Sequence, residues 1–365
     1  MNRKKILFIA SHRLNRAPGQ RFRFEQYLDF LRENGFDCEL SSIISESQDR
    51  ILYQKGKYFR KFLIMLSAWA NRQKDIWRAN QFDIIFIFRE AFLTGSTFFE
   101  YKFSCSKAKV VFDFDDAIWH LDISAANKKF EWLKNPGKTA KIISMSDLVL
   151  AGNQYLADYA KHHNDNVKII PTTIDTSEYI NVAQKKDNET ICIGWSGSIT
   201  TIKHFEYAVP ALRKLKEKYG EKISFKVIGD SSYQNKELNT KGIAWSKNDE
   251  IKELSSFDIG IMPLPNDEWA KGKCGLKGLQ YMALEIPCIM SPVGVNSEII
   301  VDGINGFLAK HDDEWIDKIS LLIENAALRK QIGAEAKKTV EYKYSVNSQK
   351  ERYLGLLKEL LNEKS

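Results

Sequence analysis

Two stretches in the second half of the chain hold residue types suited to gripping a diphosphate. The first is residues 191–212, ICIGWSGSITTIKHFEYAVPAL. An apolar run leads straight into Gly194, Gly197 and Ser198, and a helix is expected to begin near Thr200 or Thr201, with Lys203 in its first turn. Glycines at a strand-to-helix turn let the backbone approach a diphosphate. A helix N-terminus offers N–H groups and the positive end of a dipole, and a lysine adds a full charge. The spacing is neither G-x-G-x-x-G nor a P-loop, and such turns also occur with no ligand. The second stretch is residues 271–298, KGKCGLKGLQYMALEIPCIMSPVGVNSE. Here a Gly- and Lys-rich loop with Lys273 and Gly275 opens a helix carrying Lys277 and Gln280, and Glu298 follows in a later loop. The apolar residues of that helix read as a core face; the loop's lysines and glycines have no such packing reason.

The first half offers carboxylates and arginines instead. Asp113-Phe114-Asp115-Asp116 ends an apolar run. Three readings stay open: an Asp-x-Asp metal motif, carboxylates touching a ligand at the cleft, and an aspartate capping a helix from Ala117 or Ile118. His120 is a further candidate. Arg21 and Arg23 follow Gly19 at the first strand-to-helix turn, and Arg89-Glu90 ends another run. These could hold a ligand's phosphate, or be solvated arginines and a salt bridge.

Positioning such groups needs regular elements, and the hydrophobic pattern supplies them. Short apolar runs at residues 5–10, 37–42, 84–88, 110–113, 148–151 and 168–170 alternate with helical patterns such as 22–34. After a polar stretch at 171–188, alternation restarts with strands at 191–195, 224–228, 242–245, 259–262, 287–291 and 306–308. Helices fall near 205–219, 248–255, 276–283 and 313–325. Strands alternating with helices predict parallel, doubly wound sheets. The fold class is α/β, two Rossmann-like domains facing across a cleft. Domains are expected at residues 1–175 and 188–340, with a last helix, 341–365, returning to the first domain. Ligands of such sheets collect at the carboxyl ends of the strands.

The 365 residues suit two domains, and 44% hydrophobic with 28% charged residues is ordinary for a globular chain. Five scattered cysteines without a CxxC pair argue against a disulfide framework or a zinc site and suit a cytoplasmic setting. The net charge of +7 favours anionic partners. Residues 53–78 interleave basic residues with Phe59, Phe62, Leu66, Trp69 and Trp77. They read either as a helix lying in a membrane interface, giving peripheral contact at the inner face of a membrane, or as a surface helix packed on its own domain. No nucleic-acid module accompanies the charge. A dehydrogenase would need G-x-G-x-x-G after the first strand, where the chain has SHRLNRAPG instead.

The run K-x-G-L-K-x-L-Q-Y-M-A-x-x-x-P-x-x-x-S-P-V-G-x-N-x-E-I from Lys273, followed by VDGINGFL, resembles the donor-binding segment of GT-B glycosyltransferases of the family 4 (group 1) type. The loop at Gly194–Lys203 is similar to that family's diphosphate loop. The runs HRLNRAPGQRFRFEQYL, IFRE and VFDFDDAIW are similar to a bacterial surface-polysaccharide subgroup. The resemblance implies acceptor binding by the first domain, at Gly19, Arg21, Arg23, Arg89 and Glu90. It implies nucleotide-sugar binding by the second, at Gly194, Gly197, Ser198, Lys203, Lys273, Gly275, Lys277, Gln280 and Glu298. Asp115, Asp116, Lys203 and Lys277 would be catalytic in a retaining hexosyl transfer to a glycan or lipid-linked acceptor. No metal and no cofactor beyond the donor substrate is expected. The family's Glu-x7-Glu pair is absent, its positions falling on Gly272 and Gln280. That keeps a catalytically silent sugar-nucleotide-binding or scaffold subunit as the alternative.

Overall fold

A computed structural model describes residues 3–52, 54, 56–120, 135–180 and 190–362. The chain divides into two compact units: residues 1–172 with 349–365, and residues 173–348. Each is a twisted α/β sheet covered by helices.

The first unit holds β1 (Lys4–His12), β2 (Phe36–Ile44), β3 (Ile84–Phe88), β4 (Lys109–Phe114), β5 (Leu148–Ala151) and β6 (Val167–Ile169). All pair in parallel in the order β2-β1-β3-β4-β5-β6. The runs FIA, IIFIF and VVF are apolar at every position because both faces of the sheet are covered. Its helices are α1 (Pro18–Arg23), α2 (Leu28–Glu33), α3 (Glu46–Leu52), α4 (Tyr58–Arg78), α5 (Phe98–Ser104), α6 (Lys138–Ser144) and α7 (Gln154–Lys161).

The second unit holds β7 (Ile191–Ser196), β8 (Ile223–Ile228), β9 (Gln234–Asn235), β10 (Thr240–Ile243), β11 (Ile259–Met262), β12 (Cys288–Met290) and β13 (Phe307–Leu308). Their order is β13-β12-β11-β7-β8-β10-β9. β9 alone is antiparallel, and the remaining six run 3-2-1-4-5-6 from β7. That is the doubly wound order, with its switch point between β7 and β11. The helices are α8 (Ile202–Phe205), α9 (Val209–Tyr219), α10 (Lys247–Leu254), α11 (Glu268–Lys271), α12 (Leu276–Ala283), α13 (Asn296–Ile299), α14 (Asp312–Glu324) and α15 (Ala326–Thr339). The last helix, α16 (Val346–Asn362), passes from the second unit into the first, where Tyr353 stacks on Tyr27 with ring centroids 4.4 Å apart.

Two expected helices are broken. The 22–34 pattern splits into α1, a 3-10 turn at Glu25–Tyr27, and α2. The 205–219 pattern splits into α8 and α9, with Pro210 in the first turn of α9. Both breaks lie next to functional candidates.

Candidate functional site

At the β7–β11 switch point the structure joins the two sequence stretches. Ser196 ends β7, and its backbone N–H donates to the Tyr281 hydroxyl of α12 at 2.9 Å. The Ser196 and Tyr281 hydroxyls lie 3.1 Å apart. Burial drives the Tyr281 phenol far above its ordinary range, so it stays neutral and holds strand and helix together. One turn earlier on α12, Lys277 places its Nζ 5.7 Å from the centre of the buried Trp195 ring. Lys273, in the loop before α12, lies 4.9 Å from the Trp269 ring.

Both stretches meet at His204 on α8. Only 2% of this histidine is exposed, and its Nδ1 has no hydrogen-bond partner among the described residues. Burial first, then the charges of Lys277, Lys273 and Lys203, push its pKa down to about 4, with Asp267 opposing. Three lysines acting on one buried histidine make the local potential more positive. His204 was not read from the sequence. The only local signal was its place beside Lys203, because the other two lysines come from about 70 residues further along the chain.

The glycines have structural reasons of their own. A Cβ on Gly194 would fall 2.1 Å from the Phe257 ring, and one on Gly197 would fall 2.2 Å from the Trp195 ring. Gly275 precedes α12 with φ +71°, a left-handed conformation that glycine adopts without steric cost. The 197–202 loop spends much of its hydrogen-bonding capacity on itself. The Ser198 N–H donates to Thr201 Oγ1 at 2.9 Å, and the N–H groups of Thr201 and Ile202 donate to the Ser198 carbonyl. The expected helix start at 200–201 is corrected to Ile202, and α8 has only four residues. The eight-residue α12 is the better electrostatic partner for an anion, and its first turn carries Lys277.

Two expected donor residues sit elsewhere. Gln280 points inward, 4% exposed, and donates to the Tyr179 hydroxyl at 3.1 Å. Glu298 lines a hollow of about 290 Å³ whose other walls include Asn305, Lys338, Thr339 and Tyr342, none of them an expected donor residue.

In the first unit the switch point lies between β1 and β3. Arg89 follows β3 with φ +61°, an unusual conformation for a side-chain-bearing residue. Its Nε donates to Asp115 at 2.7 Å and its Nη2 to Asp116 at 2.6 Å. A Cβ on Gly19 would lie 3.1 Å from Asp115 Oδ2 and 3.2 Å from Arg89 Nη2. The structure therefore brings Gly19, Arg89, Asp115 and Asp116 together. The reading of an aspartate capping a helix from Ala117 or Ile118 is corrected: residues 118–119 form a turn, and residues 121–134 lie outside the described residues. Arg21 is buried on α1, its guanidinium 4.3 Å from the Phe22 ring.

Arg23 is corrected from strand-edge residue to core residue. It is 1% exposed; its Nε donates to Asp113 at 3.1 Å, its Nη2 to the other carboxylate oxygen, and its Nη1 to the Ile170 carbonyl. This reach across the sheet is where α1 ends. Glu90 pairs with the buried Lys138 at 2.9 Å. His12, at the end of β1, was also missed: burial, then neighbouring arginines, lower its pKa against the pull of Asp49. Asp49 in turn binds Arg13 and Arg16. Among the described residues, no cluster of three or more His, Cys, Asp or Glu is placed to hold a metal ion.

Residues 176–339, nearly all of the second unit, match the family model described as glycosyl transferases group 1. The chain is 24% identical over 170 residues to the capsular polysaccharide biosynthesis glycosyltransferase CapM of Staphylococcus aureus, covering 43% of each chain. Its matches span about a fifth to a half of the curated relatives' own length. A glycosyltransferase from Rickettsia africae ESF-5 superposes with a TM-score of 0.70 at 18% identity, covering all of both chains. HepE of Anabaena, solved with UDP-glucose, gives 0.67 at 14% identity over 97% and 99% of the two chains. The fold is thus two Rossmann-like domains of the GT-B kind. The family match and the glycosyltransferase-named relatives support a glycosyltransferase.

Proposed function

We propose that this protein transfers a sugar from a nucleotide-sugar donor to a glycan or lipid-linked acceptor in the synthesis of a cell-surface polysaccharide, with retention and without a metal ion. One observation carries the reading. Lys203, Lys273 and Lys277 all act electrostatically on the buried His204 near the β7–β11 switch point, inside the segment that matches the family model. The UDP-glucose held by HepE and the capsular role in CapM's name support the donor class and the acceptor setting.

Breaking an anomeric C–O bond to a diphosphate places growing negative charge on the leaving group. Lys203 and Lys277, with Lys273 and the first turn of α12, supply fixed positive potential where that charge develops. Their attraction rises as the bond lengthens, so they lower the barrier and not merely the ground state. Lysine charge in this role replaces the divalent ion that other transferases use. Asp115 and Asp116, fixed by Arg89, are the groups that would meet acceptor hydroxyls beside Gly19, Arg21 and Glu90.

The test is a thermal-shift screen with UDP, GDP and dTDP, then transfer assays with the matching sugar nucleotides in EDTA. One nucleotide at about 100 times its dissociation constant should add about 2.7 kcal/mol of stability. Turnover should persist in EDTA. Absence of any nucleotide shift would refute the reading. Binding without transfer or hydrolysis would leave a silent binder.

A further inference from the structure

The helix α4 is built inside out. Its buried stripe is Lys61, Ile64, Ala68, Arg72 and Asp75, whereas Phe59, Phe62, Leu63, Leu66, Trp69 and Trp77 are exposed. Phe59 is 73% and Trp77 77% exposed. At about 100° per residue these six side chains fall within a sector of about 120°. Scattered exposed apolar residues are ordinary, but a continuous face of them marks an interaction surface.

The buried network fixes this rotation. Arg72 donates to the carbonyls of Ala91 at 2.6 Å and Ala10 at 2.7 Å, to Ser41 Oγ at 2.9 Å and to Asp75 at 3.0 Å. These bonds hold Arg72 and Asp75 inward and so keep the opposite, apolar face of α4 outward. The patch continues onto α5. Trp69 meets Phe99 edge-on at 6.4 Å, and Phe98 packs on Phe99 at 5.3 Å, while Phe98 and Tyr101 are themselves exposed.

We infer that this face docks the protein onto an anionic lipid surface, with α4 lying in the interface. The flank of the apolar face carries Arg60 and Lys74, neither of which has a carboxylate partner among the described residues. On α5, Lys102 lies 5.8 Å from the Phe98 ring. An apolar sector bordered by cations matches a headgroup–acyl boundary carrying negative charge. A second copy of this chain fits less well, because a two-fold pairing would set these cations against each other. α4 is about 30 Å long, and no described helix is long and apolar enough to cross a membrane. The contact is therefore one of lying on the surface. It does not depend on the nucleotide-sugar reading.

The test is sedimentation of the full chain with vesicles of equal parts phosphatidylglycerol and phosphatidylcholine, and with pure phosphatidylcholine vesicles. The protein should sediment with the anionic vesicles and much less with the neutral ones. Phe59→Ser with Phe62→Ser and Trp77→Ser should lower partitioning at least about tenfold, with no loss of melting temperature because these positions are exposed. Arg60→Glu with Lys74→Glu should weaken anionic-vesicle binding by at least about tenfold. UDP binding, measured in parallel, should be unchanged in both variants. Failure of the unaltered protein to sediment, or variants that sediment equally well, would overturn the inference. So would light scattering that shows a dimer dispersed by the serine substitutions, with no vesicle binding.

Discussion

The carboxyl ends of the two sheets are built from opposite electrostatics. In the first unit arginines and lysines meet carboxylates: Arg23 with Asp113, Arg89 with Asp115 and Asp116, Arg16 with Asp49, and Lys138 with Glu90. In the second unit Lys277, Lys273 and Lys203 act on His204 against Asp267. A charge-matched edge is suited to hydrogen-bonding neutral, polyhydroxylated molecules. An edge with surplus positive potential is suited to a diphosphate. The proposed function assigns acceptor chemistry to the first edge and donor chemistry to the second, and this difference is what it rests on.

The largest expected effect breaks the first edge from within. Arg23→Met leaves Asp113 buried without its bidentate partner and should cost about 3–5 kcal/mol of stability in chemical denaturation. A cost below about 1 kcal/mol would mean that the pair is not structural. The next substitution sharpens the acceptor assignment. Asp115→Asn with Asp116→Asn should lower transfer kcat/KM by at least about tenfold while leaving nucleotide affinity unchanged. If stability falls and turnover does not, these carboxylates serve only to hold Arg89.

The smallest effect concerns pH. His204 is held neutral in the fold, its pKa lowered from 6.5 to about 4. The unfolded chain binds its proton more readily, so this contribution is fully present above about pH 6.5 and is lost as pH falls toward 4. The melting temperature of His204→Gln should therefore decline less between neutral pH and about pH 4.5 than that of the unaltered protein. A diphosphate bound nearby should raise the histidine's pKa, so UDP-glucose binding should take up protons near pH 5. Calorimetry in buffers of different ionisation enthalpy reads this directly. Identical pH profiles for the two proteins would mean that the fold does not lower the pKa of His204.

Much of the fold was legible because parallel strands buried on both faces write themselves as uninterrupted apolar runs, as in Ile84–Phe88. β9 was not, since Gln234-Asn235 is an edge pair with no apolar signal. The apolar period of residues 22–34 runs through the break at Phe24, because the cause is Arg23 reaching an aspartate 90 residues away. Periodicity likewise showed that α4 is two-faced but not which face is inside. That choice belongs to Arg72 and its partners on three other segments. Of the candidate site, Lys203 and Lys277 were visible as lysines beside glycine loops. Their convergence on His204 is a product of the β7–β11 adjacency and has no local trace.

The central claim is that lysine charge at the β7–β11 switch point grips a diphosphate. Titration calorimetry of the nucleotide selected by the screen, into the unaltered protein and into Lys203→Gln with Lys277→Gln, tests it most directly. The account predicts at least about a 100-fold loss of affinity, corresponding to charge-assisted hydrogen bonds worth about 1.5–3 kcal/mol each, with an unchanged melting temperature in the absence of nucleotide. Equal affinity for the two proteins would contradict it.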